Sequence, residues 1–423
     1  MRKYDEYKDS GSNLIGKIPA NWEICRFGSV FRLKPVVPHH NEELLSVFLE
    51  YGVIPASESE KRTHKPSEDL SKYQLVEKTD FVMNNQQAWR GSVGVSRYVG
   101  IISPAYHIFK MPRQLDASYA NYLLRDKCMV GHYEMSSKGV GSIQRTLNFN
   151  WLNNGFLIIP PISEQRIIAS FLNNKSREID NLISKTEREI ELLKELKQSV
   201  VAHVVTKGLN PNAKMKDSGI GWIGEIPEHW EVKRLASAFV ENREQNAVLS
   251  YTNAYKFNYG SIVPKENEGK IEELSDIYKK YTVIHPGDII LNGLNLNYDF
   301  VSQRVAMSYD TGIITSAYLS ITPRGGKMPS YHLHLLKTMD AKKLFHGIGT
   351  GIRLTMGYDE LKKQMLLFPP IDEQQEIVEY IDYKTTQIDK MIVELTYKVE
   401  CLKQYKQRLI ADVVTGKINV QPE

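Results

Sequence analysis

Cysteine is nearly absent from this chain: Cys25, Cys128 and Cys401 stand far apart in 423 residues. An odd, scattered set suits a reducing compartment and excludes a cysteine-based zinc site. Long apolar runs are missing too. No stretch approaches the 18 apolar residues of a membrane-spanning helix, and the opening MRKYDEYKDS lacks the apolar core of a signal peptide. A cytoplasmic setting with no membrane contact is the expectation. Charge of one sign does not dominate either. Fifty-four Lys and Arg against 50 Asp and Glu leave a net charge of +4, which permits a nucleic-acid partner without requiring one.

Catalytic patterns are equally scarce. Ser103-Pro104-Ala105-Tyr106 is one proline short of the pocket with which amino-methyltransferases hold a base, and no loop for S-adenosylmethionine accompanies it. The Gly-rich segments Gly139-Val140-Gly141 and Gly347-Ile348-Gly349 lack the Lys-Ser/Thr of a phosphate-binding loop. His39-His40 and His332-x-His334 have no acidic or cysteine companions at ligand spacing, so no metal site is expected. No ordered Ser/His/Asp set or nuclease-like carboxylate cluster appears. The chain is expected to do no covalent chemistry and to bind no cofactor of its own.

What is present is a repeat. Residues 9–31 and 217–239 agree at 12 of 23 positions at an offset of 208, including Ile18-Pro19-x-x-Trp22 against Ile226-Pro227-x-x-Trp230. Pro160-Pro161-Ile162-Ser163-Glu164-Gln165 returns as Pro369-Pro370-Ile371-Asp372-Glu373-Gln374, now offset by 209. Both copies close alike, at Val204-Val205-Thr206 and Val413-Val414-Thr415. Between these anchors the sequence has diverged. A repeated frame with unlike inserts predicts two related surfaces that read different things.

Each Pro-Pro start precedes a stretch without Pro or Gly, residues 163–207 and 372–415. Ile179, Leu182, Ile183, Thr186, Ile190, Leu193, Leu196, Val200 and Val204 recur every three or four residues in the first. Ile388, Met391, Ile392, Leu395, Val399, Leu402, Tyr405, Leu409 and Val413 do so in the second. Both read as amphipathic helices of roughly 65 Å, started by Pro-Pro and stopped by Gly208 and Gly416. The economical partner for each stripe is the other helix. About 150 intervening residues make antiparallel packing the better fit, with the variable blocks at opposite ends. A plain scaffold coiled coil is the alternative.

The variable blocks keep matched landmarks. Asp80-Phe81-Val82-Met83-Asn84 answers Asp288-Ile289-Ile290-Leu291-Asn292, and Gly139 to Arg145 answers Gly347 to Arg353. After each Asp comes an amide-rich loop: Asn84, Asn85, Gln86, Gln87 and Arg90 in the first block, and Asn292, Asn295, Asn297, Gln303 and Arg304 in the second. Asn and Gln pair with adenine edges and Arg with guanine, so these loops suit base readout; a solvated polar loop has the same composition. Lys138, Ser142 and Arg145, with Thr350, Arg353, Lys342 and Lys343, lie beside the Gly-rich segments. There they suit phosphate contacts that position without specifying sequence, or simple turns.

The two Ile-Pro-x-x-Trp segments, the Pro-Pro-Ile-x-Glu-Gln starts, Ile179-Asp180 with Ile388-Asp389, and the ends Val205-Thr206-Lys207-Gly208 and Val414-Thr415-Gly416-Lys417 come in order and twice over. As a set they resemble the DNA-specificity subunit of type I restriction-modification systems, across essentially the whole chain. The resemblance implies an α+β fold with an internal pseudo-two-fold repeat. Two target-recognition domains (1–159 and 225–368) would be joined by long helices in an antiparallel coiled coil (160–207 and 369–417), with a linker at 208–224 and a tail at 418–423. It implies a non-catalytic subunit that binds double-stranded DNA. Each recognition domain would read one half of a bipartite, asymmetric site, and the helices would set the spacer. It also implies two modification subunits bringing S-adenosylmethionine for adenine methylation, and restriction subunits using ATP and magnesium. No family pattern identifies the base-contacting residues, so the loop residues above rest on their chemistry alone.

Overall fold

The computed structural model describes residues 2–39, 41–58, 70–139, 145–266, 271–326, 329–351 and 354–422. It divides into two units, Met1–Glu187 with Tyr397–Glu423, and Arg188–Thr396. Two long helices thread through both. The first, Ile162–Lys207, crosses from the first unit to the second after Glu187; the second, Ile371–Val414, crosses back after Thr396.

Pro-Pro starts each helix, and the Gln of the motif secures the start: Gln165 Nε2 donates to the Pro160 carbonyl and Gln374 Nε2 to the Pro369 carbonyl, both at 2.8 Å. Gly208 and Gly416 follow the last turns in the left-handed region, at φ 77° and 75°, where an L side chain is strained. Room is short as well. A Cβ on Gly416 would lie 2.3 Å from Pro19 Cδ, and one on Gly208 would lie 3.0 Å from Glu373 Oε1.

The helices run antiparallel, as ion pairs within each unit record. In the first unit Lys403 meets Glu187 at 3.1 Å and Lys406 meets Asp180 at 2.6 Å, so one chain number rises as the other falls. In the second unit Lys197 meets Asp389 at 2.6 Å. Asp389 and Lys406 stand 209 positions after Asp180 and Lys197, so the two close pairs are copies of one contact. Such exposed pairs add at most about 1 kcal/mol each and serve mainly to define register. The apolar seam between the helices is narrower than the sequence stripe. Ile179, Ile183, Thr186, Ile190, Ile388, Val399 and Leu409 are buried, whereas Leu182, Leu196, Met391 and Tyr405 are exposed. A two-helix pair covers one seam and leaves the flank of a wider stripe in solvent.

Each unit is built on the same sheet. In the first, strands Arg32–Leu33, Tyr106–Lys110, Phe81–Asn84 and Val93–Val95 lie side by side in that order, all antiparallel. In the second, Phe239–Glu241, Leu319–Pro323, Ile289–Leu291 and Val305–Met307 repeat the order. One central strand of each carries a continuous apolar run buried on both faces, Phe81-Val82-Met83 and Ile289-Ile290-Leu291. The buried Asp before each run fixes the approach. Asp80 Oδ2 accepts from Glu77 N and Asp288 Oδ2 from His285 N, at 2.8 and 2.9 Å. The second unit adds a further four-stranded sheet containing one parallel pair, Ala254–Asn258 with Gly312–Ile314. The first unit has two-stranded antiparallel pairs instead, the hairpin Leu45–Phe48 with Gly52–Pro55 and the non-local pair Gln74–Val76 with Gly100–Ile102.

A long-helix end packs into each unit's core. Tyr119, on the helix Ala117–Arg125 capped by Asp116, donates its hydroxyl to the Val414 carbonyl. Tyr331, on the helix Ser330–Ala341, donates to the Val205 carbonyl. Both tyrosines are buried, and burial pushes their ionisation well above the ordinary range.

Candidate nucleic-acid interface

Both units bring the amide-rich loop against residues that follow the Gly-rich segment in sequence. In the first unit Asn85 Oδ1 accepts from Leu147 N at 3.2 Å, and the Arg145 guanidinium lies 4.5 Å over the Trp89 ring. In the second, Leu296 N donates to the Leu354 carbonyl at 3.1 Å and Met356 N to the Gly293 carbonyl at 2.9 Å. Two segments some 60 residues apart in sequence thus form one surface in each unit. Ser142 and Arg353 lie outside the described residues.

Within the first unit's loop, the amides divide by role. Asn84 closes its strand and turns inward; its Oδ1 accepts from Gln86 N, and its side chain hydrogen-bonds the Tyr106 hydroxyl. Asn85 is spent on the Leu147 tie. Gln87 is half-buried, whereas Gln86 and Arg90 are exposed. Trp89 organises the cations: its indole N–H donates to the Gln86 carbonyl at 3.1 Å, and the Arg90 guanidinium lies 4.8 Å over its ring beside that of Arg145. Arg145 also reaches Glu134 at 3.3 Å. Lys138 is exposed, with Nζ 4.5 Å over Trp151, itself 47% exposed. Cations stacked on aromatic faces keep their charge while losing side-chain freedom, which favours contact with phosphate or with a base. The sequence reading passed over both tryptophans. An aromatic residue next to Arg in a polar loop was the available signal.

The second unit corrects one expectation. Arg304 does not face solvent; it is 1% exposed. Its Nη1 donates to the carbonyls of Asn292 and Leu294 at 3.1 and 2.8 Å, and its Nη2 to that of Asp299 at 2.7 Å. Burying a guanidinium is costly unless donors are engaged, and here the Nη1 and Nη2 bonds hold the loop together, while the buried Nε has no partner. The Arg304 side chain is spent on the backbone of its own loop instead of being displayed at the surface. Asn292 Oδ1 caps Leu294 N, and Asn297 is half-buried. Asn295 and Gln303 remain exposed, as does Thr350, whose backbone bridges Thr355. Gln86 and Arg90 in the first unit, and Asn295 and Gln303 in the second, are therefore the outward-facing donors and acceptors of base-reading type among the residues expected from sequence.

Among the described residues no group of three His, Cys, Asp or Glu side chains could hold a metal ion, and no helix is long and apolar enough to cross a membrane.

No protein-family model matches the chain. Individual relatives do, end to end. The MjaVIII type I restriction enzyme specificity subunit of Methanocaldococcus jannaschii is 23% identical over 96% of this chain and 95% of its own length. The EcoKI specificity subunit of Escherichia coli K12 is 19% identical over 96% and 91%. Among solved structures, the HsdS subunit from Thermoanaerobacter tengcongensis shares the fold with a TM-score of 0.53 at 15% identity, covering 95% of this chain and 98% of that one. A chain from a study of complex assembly and conformational transition of the type I R-M system reaches a TM-score of 0.67, also at 15% identity, over 95% and 99%. Over 96% of its length the chain is a homologue of the specificity subunits of type I restriction enzymes.

Proposed function

We propose that this chain selects the DNA sequence for a type I restriction-modification complex, each unit reading one half of a bipartite, asymmetric site. The observation that carries the reading is the shared construction of the two surfaces. The same Asp-anchored strand leads to the same junction of amide-rich and post-glycine loops, yet the side chains displayed differ. Equivalent frames with unlike contents are what a reader of two unlike half-sites needs, because base contacts specify and the frame positions. Arg90, Arg145 and Lys138 in the first unit, with Lys342 and Lys343 in the second, would supply phosphate and guanine contacts.

The helices serve two further roles in this reading. They fix the spacer between half-sites, and they receive the modification subunits that bring S-adenosylmethionine and methylate adenine. Two such subunits are supported by the exposed flank of the stripe. Leu182 and Tyr405 are 41% and 48% exposed in the first unit, and Leu196 and Met391 are 49% and 46% exposed in the second. Each pair is the other's copy at the 209 offset. Restriction subunits, with ATP and magnesium, would join the same complex.

Methylome sequencing of cells expressing the chain with its modification subunit tests the reading. One split, non-palindromic motif with an adenine methylated in each half is expected; a contiguous motif, or none, overturns it. Removing one heptad from each helix, about 10 Å, should shorten the spacer by about three base pairs while both half-sites persist. An unchanged spacer would remove the helices from that role.

A further inference from the structure

The second unit carries a hydrophobic tip on its amide-rich loop. Tyr298, Phe300 and Val301 are 76%, 56% and 87% exposed. The loop beneath them is fastened from several sides. The buried Arg304 grips the Asn292, Leu294 and Asp299 carbonyls. The Asp299 carboxylate accepts from Val301 N and Ser302 N at 3.1 and 2.9 Å. The His346 ring stacks on Phe300, with centroids 4.6 Å apart and planes at 17°, and its Nε2 lies 3.2 Å from the Asp299 carbonyl oxygen. Leu296 is fully buried below. A tip built this way shows the same apolar surface before and after contact, so little order has to be created on binding.

Its setting distinguishes between occupants. The exposed amides Asn295 and Gln303 flank it in sequence, and Asp299 lies within it. This is a small apolar point in a hydrogen-bonding rim rather than the broad apolar patch of a protein interface. At the matching place the first unit displays Trp89 under two guanidinium groups. The two surfaces thus offer different chemistry at equivalent positions.

We propose that Phe300 and Val301 recognise thymine through its C5-methyl group in the major groove of the second unit's half-site, an inference that rests on the DNA-reading function above. The methyl group is the apolar feature of a base edge, and a rigid apolar side chain beside amides that pair with adenine is suited to it. Insertion between base pairs fits less well. Phe300 would have to leave the His346 ring, and Val301 has no flat face to stand in for a stacked base.

The test uses the full chain with its modification subunits. Duplexes are selected from a randomised library, and each thymine of the selected site is then replaced in turn by uracil, which removes the methyl and leaves pairing intact. One half-site should hold a thymine at which uracil weakens binding roughly three- to tenfold. In the Phe300→Ser, Val301→Ser double variant the same replacement should make no further difference, while selection at the other half-site persists and shows the variant folded. The inference is overturned if no thymine is sensitive to uracil, or if the penalty survives in the double variant. It is also overturned if the variant binds the selected duplex normally but loses its modification subunits, which would assign the tip to a protein contact. A library that yields no preferred sequence overturns the DNA-reading function itself, and the inference with it.

Discussion

The indole N–H of Trp22 donates to Oε1 of Glu164 across 3.1 Å, and Trp230 makes the same bond to Oε2 of Glu373 at 3.0 Å. Here the two repeated motifs meet: the Trp of Ile-Pro-x-x-Trp is tied to the Glu of Pro-Pro-Ile-x-Glu-Gln. Glu164 is 3% exposed and also accepts from Tyr4 Oη at 2.5 Å and Asn21 Nδ2 at 3.3 Å. Glu164→Ala would leave a buried indole N–H and a phenol without their acceptor. That should cost about 2–4 kcal/mol, since hydrogen bonds to charged groups contribute about 1.5–3 kcal/mol and unsatisfied donors add to the loss. Glu164→Gln keeps one acceptor oxygen and should cost less. Urea midpoints for the two variants check the order; equal midpoints would mean the tie contributes little.

This contact explains what sequence made legible. Residues that recur at fixed offset are those that hold the frame, and so the helices, their glycine stops and the matched Asp-led strands all appear where periodicity and repetition placed them. The surface chemistry was less readable for a physical reason. Asn, Gln and Arg satisfy buried backbone carbonyls as readily as they meet a base, and composition does not separate the two uses. Arg304 is buried and Asn84 half-buried, whereas Arg90 and Gln303 are exposed. Nor does a stripe of apolar residues state its own width, so Leu182 and Leu196 read as seam and stand outside it.

Arg304→Ala therefore should not behave as the loss of one base contact. Three carbonyls would lose their bonds to the guanidinium together, and the loop over residues 292–304 would loosen. Hydrogen exchange across that loop should accelerate by at least tenfold, and selection should weaken across the whole half-site read by the second unit. Gln303→Ala, which removes an exposed amide, should relax selection at one position, by about 1–3 kcal/mol if its contact is bidentate, with exchange unchanged. If Arg304→Ala leaves exchange unaltered, the scaffold role fails.

Acid should act on the second unit through His334. Burial first, then the neighbouring Lys337 ammonium, bring its pKa down from 6.5 to about 4. The folded state thus resists a proton that the unfolded chain accepts. Stability from this group is complete above about pH 6.5 and is lost as pH falls toward 4. Unfolding midpoints should drop between pH 7 and pH 5, and His334→Gln should shrink that drop while leaving part of it, since burial also lowers the pKa of His107 and His132 in the first unit. An identical drop in the variant would exclude His334 as a source.

The repeat also implies that the position of the chain ends is incidental to the fold. Asn419 N donates to the Arg2 carbonyl at 2.9 Å, and Arg2 Nη2 donates to the Gln421 carbonyl at 3.1 Å, so the tail lies beside the first residues within one unit. In the second unit the stretch in the equivalent place is continuous chain: the first long helix ends at Lys207 and the strand Met215–Asp217 begins eight residues on. Joining the present ends through a short Gly/Ser linker and opening the chain in the exposed turn at Asn210 to Asn212 should exchange the two arrangements at little cost, because no buried backbone hydrogen bond is cut. The permuted protein should unfold within about 1–2 kcal/mol of the parent, the linker adding only loop entropy, and should direct methylation to the same motif. A permuted chain that folds but selects a different spacer would show that the covalent link at residue 208, rather than the packing of Tyr331 and Tyr119 on the helix ends, sets the frame.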